Sequence, residues 1–122
     1  MKVNYIELLG ENHPLCFSLA AMEEICDAFG SVDGMTAAIS SENFGVKLKA
    51  VDTVMDILMR AGRKYCEVAG LDMPERPLPC RAADVIDVSD PSAITAIFGA
   101  IKTDTERTVE AKSKNADTTQ GQ

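Results

Sequence analysis

Apolar and polar positions divide the chain into an alternating start, five helical segments and a polar end. The clearest period lies in residues 44–69. Phe44, Leu48, Val51, Met55, Leu58, Gly62, Tyr65 and Ala69 follow at steps of four and three, and Val54, Ile57 and Ala61 widen the stripe. Lys49, Asp52, Asp56, Arg60, Arg63 and Glu67 trace the opposite face. This predicts an amphipathic helix of about seven turns, wide enough in its apolar stripe to be the spine of a helical domain. Asp56 and Arg60 are spaced to pair along it. Gly62 within the stripe predicts the close approach of another backbone, and Gly70 ends the helix.

Upstream, "LAAMEEICDAF" predicts a helix from an Ser18 N-cap to Gly30, with Leu19, Met22, Ile25, Cys26 and Phe29 on its apolar face. A shorter helix, "GMTAAIS", starts at Ser31 or Asp33 and is weakened by Gly34. Before these, residues 3–9 begin an alternation with Val3, Tyr5 and Leu9 on one side. "GENHP" supplies turn chemistry, and "PLCF" forms a return strand with Pro14 at its first position. The hairpin needs the following helix as cover, because two strands alone are marginal. Downstream, "LDMPERPLPC" holds three prolines and predicts an extended connector. "RAADVIDV" reads as a short helix. Asp90 as N-cap and Pro91 at the first helical position then start a last helix whose face is Ile94, Ile97, Phe98 and Ile101.

From Lys102 the chain turns polar. The fold class expected is mainly α with a small N-terminal β-hairpin (α+β). Residues 1–112 form one helical domain, with the hairpin at about 3–17 and a disordered polar tail at 113–122. A chain of 122 residues suits one domain. Trp is absent, so the core relies on Leu, Ile, Val, Met and Ala. The net charge is -7, and residues 1–30 carry one Lys against five acids. No basic stripe exists to neutralise phosphates, which excludes direct nucleic-acid binding. No apolar run approaches membrane-spanning length and the start lacks a signal-peptide core, so the expected location is the cytoplasm.

Candidate chemistry is sparse. His13 is the sole histidine; it sits in the turn chemistry of "GENHP" and reads as the surface corner of the hairpin, so that His13→Ala is expected to leave function near normal. Cys16, Cys26, Cys66 and Cys80 include no C-x-x-C pair, which argues against zinc and, in a reducing compartment, against disulfides. Cys80 beside Arg81 is the one expected to be partly exposed. Asp84 and Asp87 could share a helix face, but no calcium loop or phosphate-cradling glycine motif accompanies them. The expectation is therefore no catalytic, cofactor-binding or metal-binding residue, and an interaction protein instead. Ile97, Phe98 and Ile101 on the last helix, with Met55, Met59 and Met73, are the candidate partner-binding residues, since Met and Leu surfaces repack around clients. Core packing is the competing role for each of them, and Met59, off the main stripe, also suits homo-oligomer contacts.

The order "LLG…HPLCFSLAAMEEI", "FGS", "AVDTVMDILMRAGRKYCE" and "ADVIDVSDPSAITAIFGAI" with a charged tail resembles the tail assembly chaperones of tailed phages and prophages, above all those of siphophage-like elements in Gram-positive bacteria. The likeness spans residues 3–112 and rests on element order and on the phrases at 14–20 and 83–91. It implies a non-catalytic protein that binds the tape-measure protein in the host cytoplasm, keeps it soluble and recruits tail-tube subunits. Many relatives are extended by a −1 frameshift near the end of the short product. Ser113, Lys114 and Asn115 permit a slippery heptanucleotide for one choice of serine codon. The other reading is a small cytoplasmic adaptor or regulator encoded by a prophage or mobile element.

Overall fold

The computed structural model describes residues 2–101; expectations that fall beyond them, including the tail at 113–122 and the end of the last helix, lie outside the described residues. The fold is mainly helical with a two-stranded antiparallel hairpin at its N-terminal end. Strands β1 (Asn4–Leu8) and β2 (Glu11–Leu15) precede helices α1 (Leu19–Phe29), α2 (Val32–Ile39) and α3 (Phe44–Ala69). An extended connector, a 3₁₀ turn at Ala82–Asp84 and a helix α4 at 92–101 follow.

The hairpin departs from its predicted form. Its turn is Leu9-Gly10, with both residues at positive φ (53° and 80°), as a two-residue hairpin turn of the I′ kind requires. "ENH" therefore belongs to β2, and His13 pairs with Ile6 in mid-strand, with only 4% of its surface exposed. The expected surface corner is thus a buried strand position. Paired residues project to the same side of a hairpin, so Ile6, Leu8, His13 and Leu15 share the buried face, while Tyr5, Glu7 and Leu9 are exposed. The predicted face of Val3, Tyr5 and Leu9 is the outer one. The demand to bury Ile6, Leu8 and Leu15 together set this register.

Pro14 is tolerated for a reason the register supplies. Pairs next to a two-residue turn exchange hydrogen bonds, and bonding alternates from there, so the Tyr5–Pro14 pair asks for no N–H from proline. The backbone of Pro14 and Cys16 instead faces α3. Cys16 N–H donates to the Leu58 carbonyl at 3.2 Å. A Cβ on Gly62 would lie 2.2 Å from the Pro14 carbonyl oxygen, so the hairpin seats on the helix where the helix has no side chain. Gly62 plays the predicted part.

The helices start and stop where capping chemistry places them. Ser18 Oγ accepts from Ala21 N–H, Ser31 Oγ from Gly34 N–H and Asn43 Oδ1 from Val46 N–H. Gly30 and Gly70 close α1 and α3 at positive φ. Gly34 also has a packing role, since a Cβ there would meet the Phe29 carbonyl at 2.3 Å. On α1 the buried line runs through Ala21 and Ile25, leaving Leu19 and Met22 exposed. On α3 the buried set is Ala50, Val54, Met55, Ile57, Leu58, Gly62 and Cys66.

The expected helix at "RAADVIDV" shrinks to the 3₁₀ turn, where Asp84 accepts from Arg81 N–H. The cap of α4 shifts by one residue. Asp90 accepts from Ser92 N–H, and the Pro91 carbonyl takes the first helical bond, from Thr95 N–H. One core cluster joins the buried faces of both strands, α1, α2, α3 and α4. The proline connector runs back along α3, held by Arg63, which donates to the Pro74 and Glu75 carbonyls, and by Tyr5 Oη, which donates to the Asp72 carbonyl.

Candidate protein-docking groove

At 26 residues, α3 is about 39 Å long, and its first turns reach past the core. Phe44 and Leu48 head the apolar stripe, yet they are 60% and 40% exposed. Opposite them runs the segment 83–94, whose Val88 is 64% exposed. Between the two walls lies a groove of about 530 Å³. Phe44, Leu48 and Val51 line the helix wall, Ile86, Val88 and Ile94 line the other, and Met55 forms the buried floor.

Two Asx turns shape the second wall. Asp87 Oδ1 accepts from the N–H and hydroxyl of Ser89, and Asp90 Oδ1 does the same with Ser92. These bonds hold both carboxyls below the usual carboxylate range, the serine hydroxyls contributing most. Lys47 and Lys49 stand on the helix wall, and neither has an ion-pair partner among the described residues. Asp52, between them and the floor, is taken up by Arg81. The groove is therefore apolar along its length, with Asp87 and Asp90 on the loop side and Lys47 and Lys49 on either side of the α3 stripe, two residues and about 200° apart.

A second cleft, of about 620 Å³, lies beside α1 and α3 and is lined mainly by charged residues. Arg60 fills its mouth, bonded to Glu24 at 2.8 Å and Asp56 at 3.1 Å. All three side chains are well exposed, so the pairs add little to stability. Among the described residues no group of three or more His, Cys, Asp or Glu side chains is arranged to hold a metal ion. None of the four cysteines is in a disulfide; Cys16 and Cys66 are buried, and Cys80 is exposed.

His13 lines neither cleft. Its Nε2 is buried without a hydrogen-bond partner. Burial lowers its pKa from the ordinary histidine value; Glu11 opposes this shift and Arg63 reinforces it.

The sequence candidates stand away from the groove. Ile97 and Ile101 are buried in the core cluster, and Phe98 and Met59 are half-buried against it. Met73 is half-buried in the connector. None of these five lines the groove, whereas Met55 does. Phe44, Leu48 and Val88 carry most of its exposed apolar surface. The available signal was positional: a stripe that starts at the first residue of a long helix runs beyond the core that buries its middle.

Comparison with known protein families, curated proteins and solved structures gives no match. Among the described residues no helix is long and apolar enough to cross a membrane.

Proposed function

We propose that the chain is a non-catalytic tail assembly chaperone that holds apolar stretches of the tape-measure protein in the groove between α3 and residues 83–94. It works in the cytoplasm of the bacterial host and helps recruit tail-tube subunits to the bound tape measure. One observation carries the binding part: Phe44, Leu48 and Val88 remain open on facing walls of one groove, while Val54, Met55, Ile57, Leu58 and Gly62 in the middle of the stripe are buried. Open apolar surface gathered into one groove marks an interaction site. The identity of the client rests on the resemblance in element order and in residues 14–20 and 83–91.

The test is aggregation of tape-measure segments, followed by light scattering, with and without the full chain. The wild-type chain is expected to suppress scattering, and Leu48→Glu with Val88→Glu to lose that effect while remaining folded by circular dichroism. Equal scattering with and without the wild-type chain would overturn the proposal.

A further inference from the structure

The hairpin has two outer edges, and the fold treats them differently. The edge of β2 lies against α3, where Cys16 N–H donates to the Leu58 carbonyl and the Pro14 carbonyl approaches Gly62. The edge of β1 has no such cover. Bonding along the hairpin alternates from the turn, so Leu8, Ile6 and Asn4 turn their backbone groups to β2, whereas the N–H and C=O groups of Tyr5 and Glu7 point away from it. Among the described residues these outward groups have no hydrogen-bond partner. They face an open cleft of about 470 Å³. Asn4, Tyr5, Ile6 and Glu7 all line it, and because side chains of a strand alternate between faces, consecutive residues meet one cleft only along the strand's edge. The far wall is one face of α4, with Ser92, Thr95 and Gly99 at steps of three and four. Asn4 Nδ2 fixes that helix by donating to the Ala96 carbonyl at 3.0 Å, on the side of the hairpin where Ile6 and Leu8 are buried. The wall's side chains are small, which keeps room for a backbone beside β1.

An unpaired edge is a template for another strand. A helix laid there uses its backbone groups internally and has none for Tyr5 and Glu7, whereas an extended backbone offers donors and acceptors at the matching spacing. Glu7 is the one Asp, Glu, Lys or Arg side chain lining the cleft, and no ion pair takes it up among the described residues. We infer that the outer edge of β1 is a second docking site, which takes an extended segment of a partner chain as a third strand of the sheet, with a Lys or Arg beside Glu7 on the outer face and small side chains turned inward over Ser92 and Thr95. Cross-strand neighbours lie about 5 Å apart, close enough for that charge pair. The site is separate from the groove and does not rest on it. The first turn of α4 shows Ala93 and Ile94 to the groove, and Ser92 and Thr95 to the cleft.

The probes are short peptides that alternate Lys with Val, unmethylated or N-methylated at either the Lys or the Val amides. Binding to the full chain is read by fluorescence anisotropy, and by amide exchange in NMR spectra. In the free chain the Tyr5 and Glu7 amides are expected to exchange fast and the Ile6 amide slowly; the unmethylated peptide is expected to slow Tyr5 and Glu7. In a strand only alternate residues bond to a given neighbour. One methylated peptide is therefore expected to bind about tenfold more weakly or worse, as the loss of two hydrogen bonds implies, and the other to bind as before. All three peptides carry the same charge, so the general attraction of a chain of net charge -7 for Lys drops out of the comparison. Glu7→Lys is expected to weaken the unmethylated peptide about threefold, as one exposed charge pair allows, with the difference between the methylated peptides kept. Equal binding by the two methylated peptides overturns the inference. So do Tyr5 and Glu7 amides that are already slow in the free chain, with the edge covered by a second copy or by residues 102–122. Unchanged affinity in Glu7→Lys overturns the basic residue beside it. Loss of the peptide in Leu48→Glu with Val88→Glu would put it in the groove and overturn the edge site, whereas failure of the peptide alone leaves the groove reading untouched.

Discussion

His13 shows how one residue changes character with a shift of register. In a turn it would be a solvated polar side chain; in mid-strand opposite Ile6 it is a buried ring with an unmet Nε2. A buried polar atom without a partner costs about 1–3 kcal/mol. His13→Leu, close in volume, is expected to leave the chain at least as stable at neutral pH, whereas His13→Ala opens a cavity and destabilises it by about 1–3 kcal/mol. The pH dependence follows from the lowered pKa. As pH falls below about 6.5, the unfolded chain takes up a proton on His13 that the folded chain resists, so stability declines until the folded pKa is also passed. Urea titrations across mildly acidic pH should show this slope in the wild-type chain and lose it in His13→Leu. Leu9 carries a separate cost. A non-glycine residue at φ 53° is held there by the hairpin, at about 1 kcal/mol. Leu9→Asn, whose side chain suits that conformation, is expected to raise stability by about that amount.

At the scale of elements, the seating of the hairpin on α3 is the contact with least tolerance. Gly62 lets the Pro14 carbonyl reach the helix backbone, and the Cys16–Leu58 bond lies beside it. Gly62→Ala raises helix propensity by about 1 kcal/mol, yet its Cβ would meet the carbonyl carbon and oxygen of Pro14 and the nitrogen of Leu15 at 2.2–2.9 Å. The hairpin would have to lift, and a loss of at least about 2 kcal/mol is expected in denaturant unfolding. Wild-type stability in this variant would show that the hairpin is not seated as described.

Helices with strong caps and a long period were legible in the sequence: α1 and α3 have the predicted limits, and Gly62 was identified for the role it plays. The hairpin turn was not, because three turn-forming residues within 10–14, Gly10, Asn12 and Pro14, outweighed the alternation of Ile6, Leu8 and Leu15. Burial, a tertiary property, decided the register. The groove was legible only in part. Helical period places Phe44 and Leu48 on the core face, but it does not say that the core stops before reaching them. Val88 lies in a turn where no period operates.

In the whole molecule, the residues that stabilise the fold and the open apolar residues of the groove are separate sets. Ile97 and Ile101 are core residues, so their truncation to Ala should cost about 2–5 kcal/mol. Leu48 and Val88 are exposed, so Glu in their place should change stability by about 0.5 kcal/mol or less, yet remove client binding. The measurement that tests the central claim most directly is hydrogen exchange of the full chain with and without a soluble tape-measure segment. New protection is expected in residues 44–55 and 83–94, with the hairpin and residues 60–69 unchanged. Protection confined to the hairpin or to the connector, with the groove unaltered by the segment, would contradict that claim.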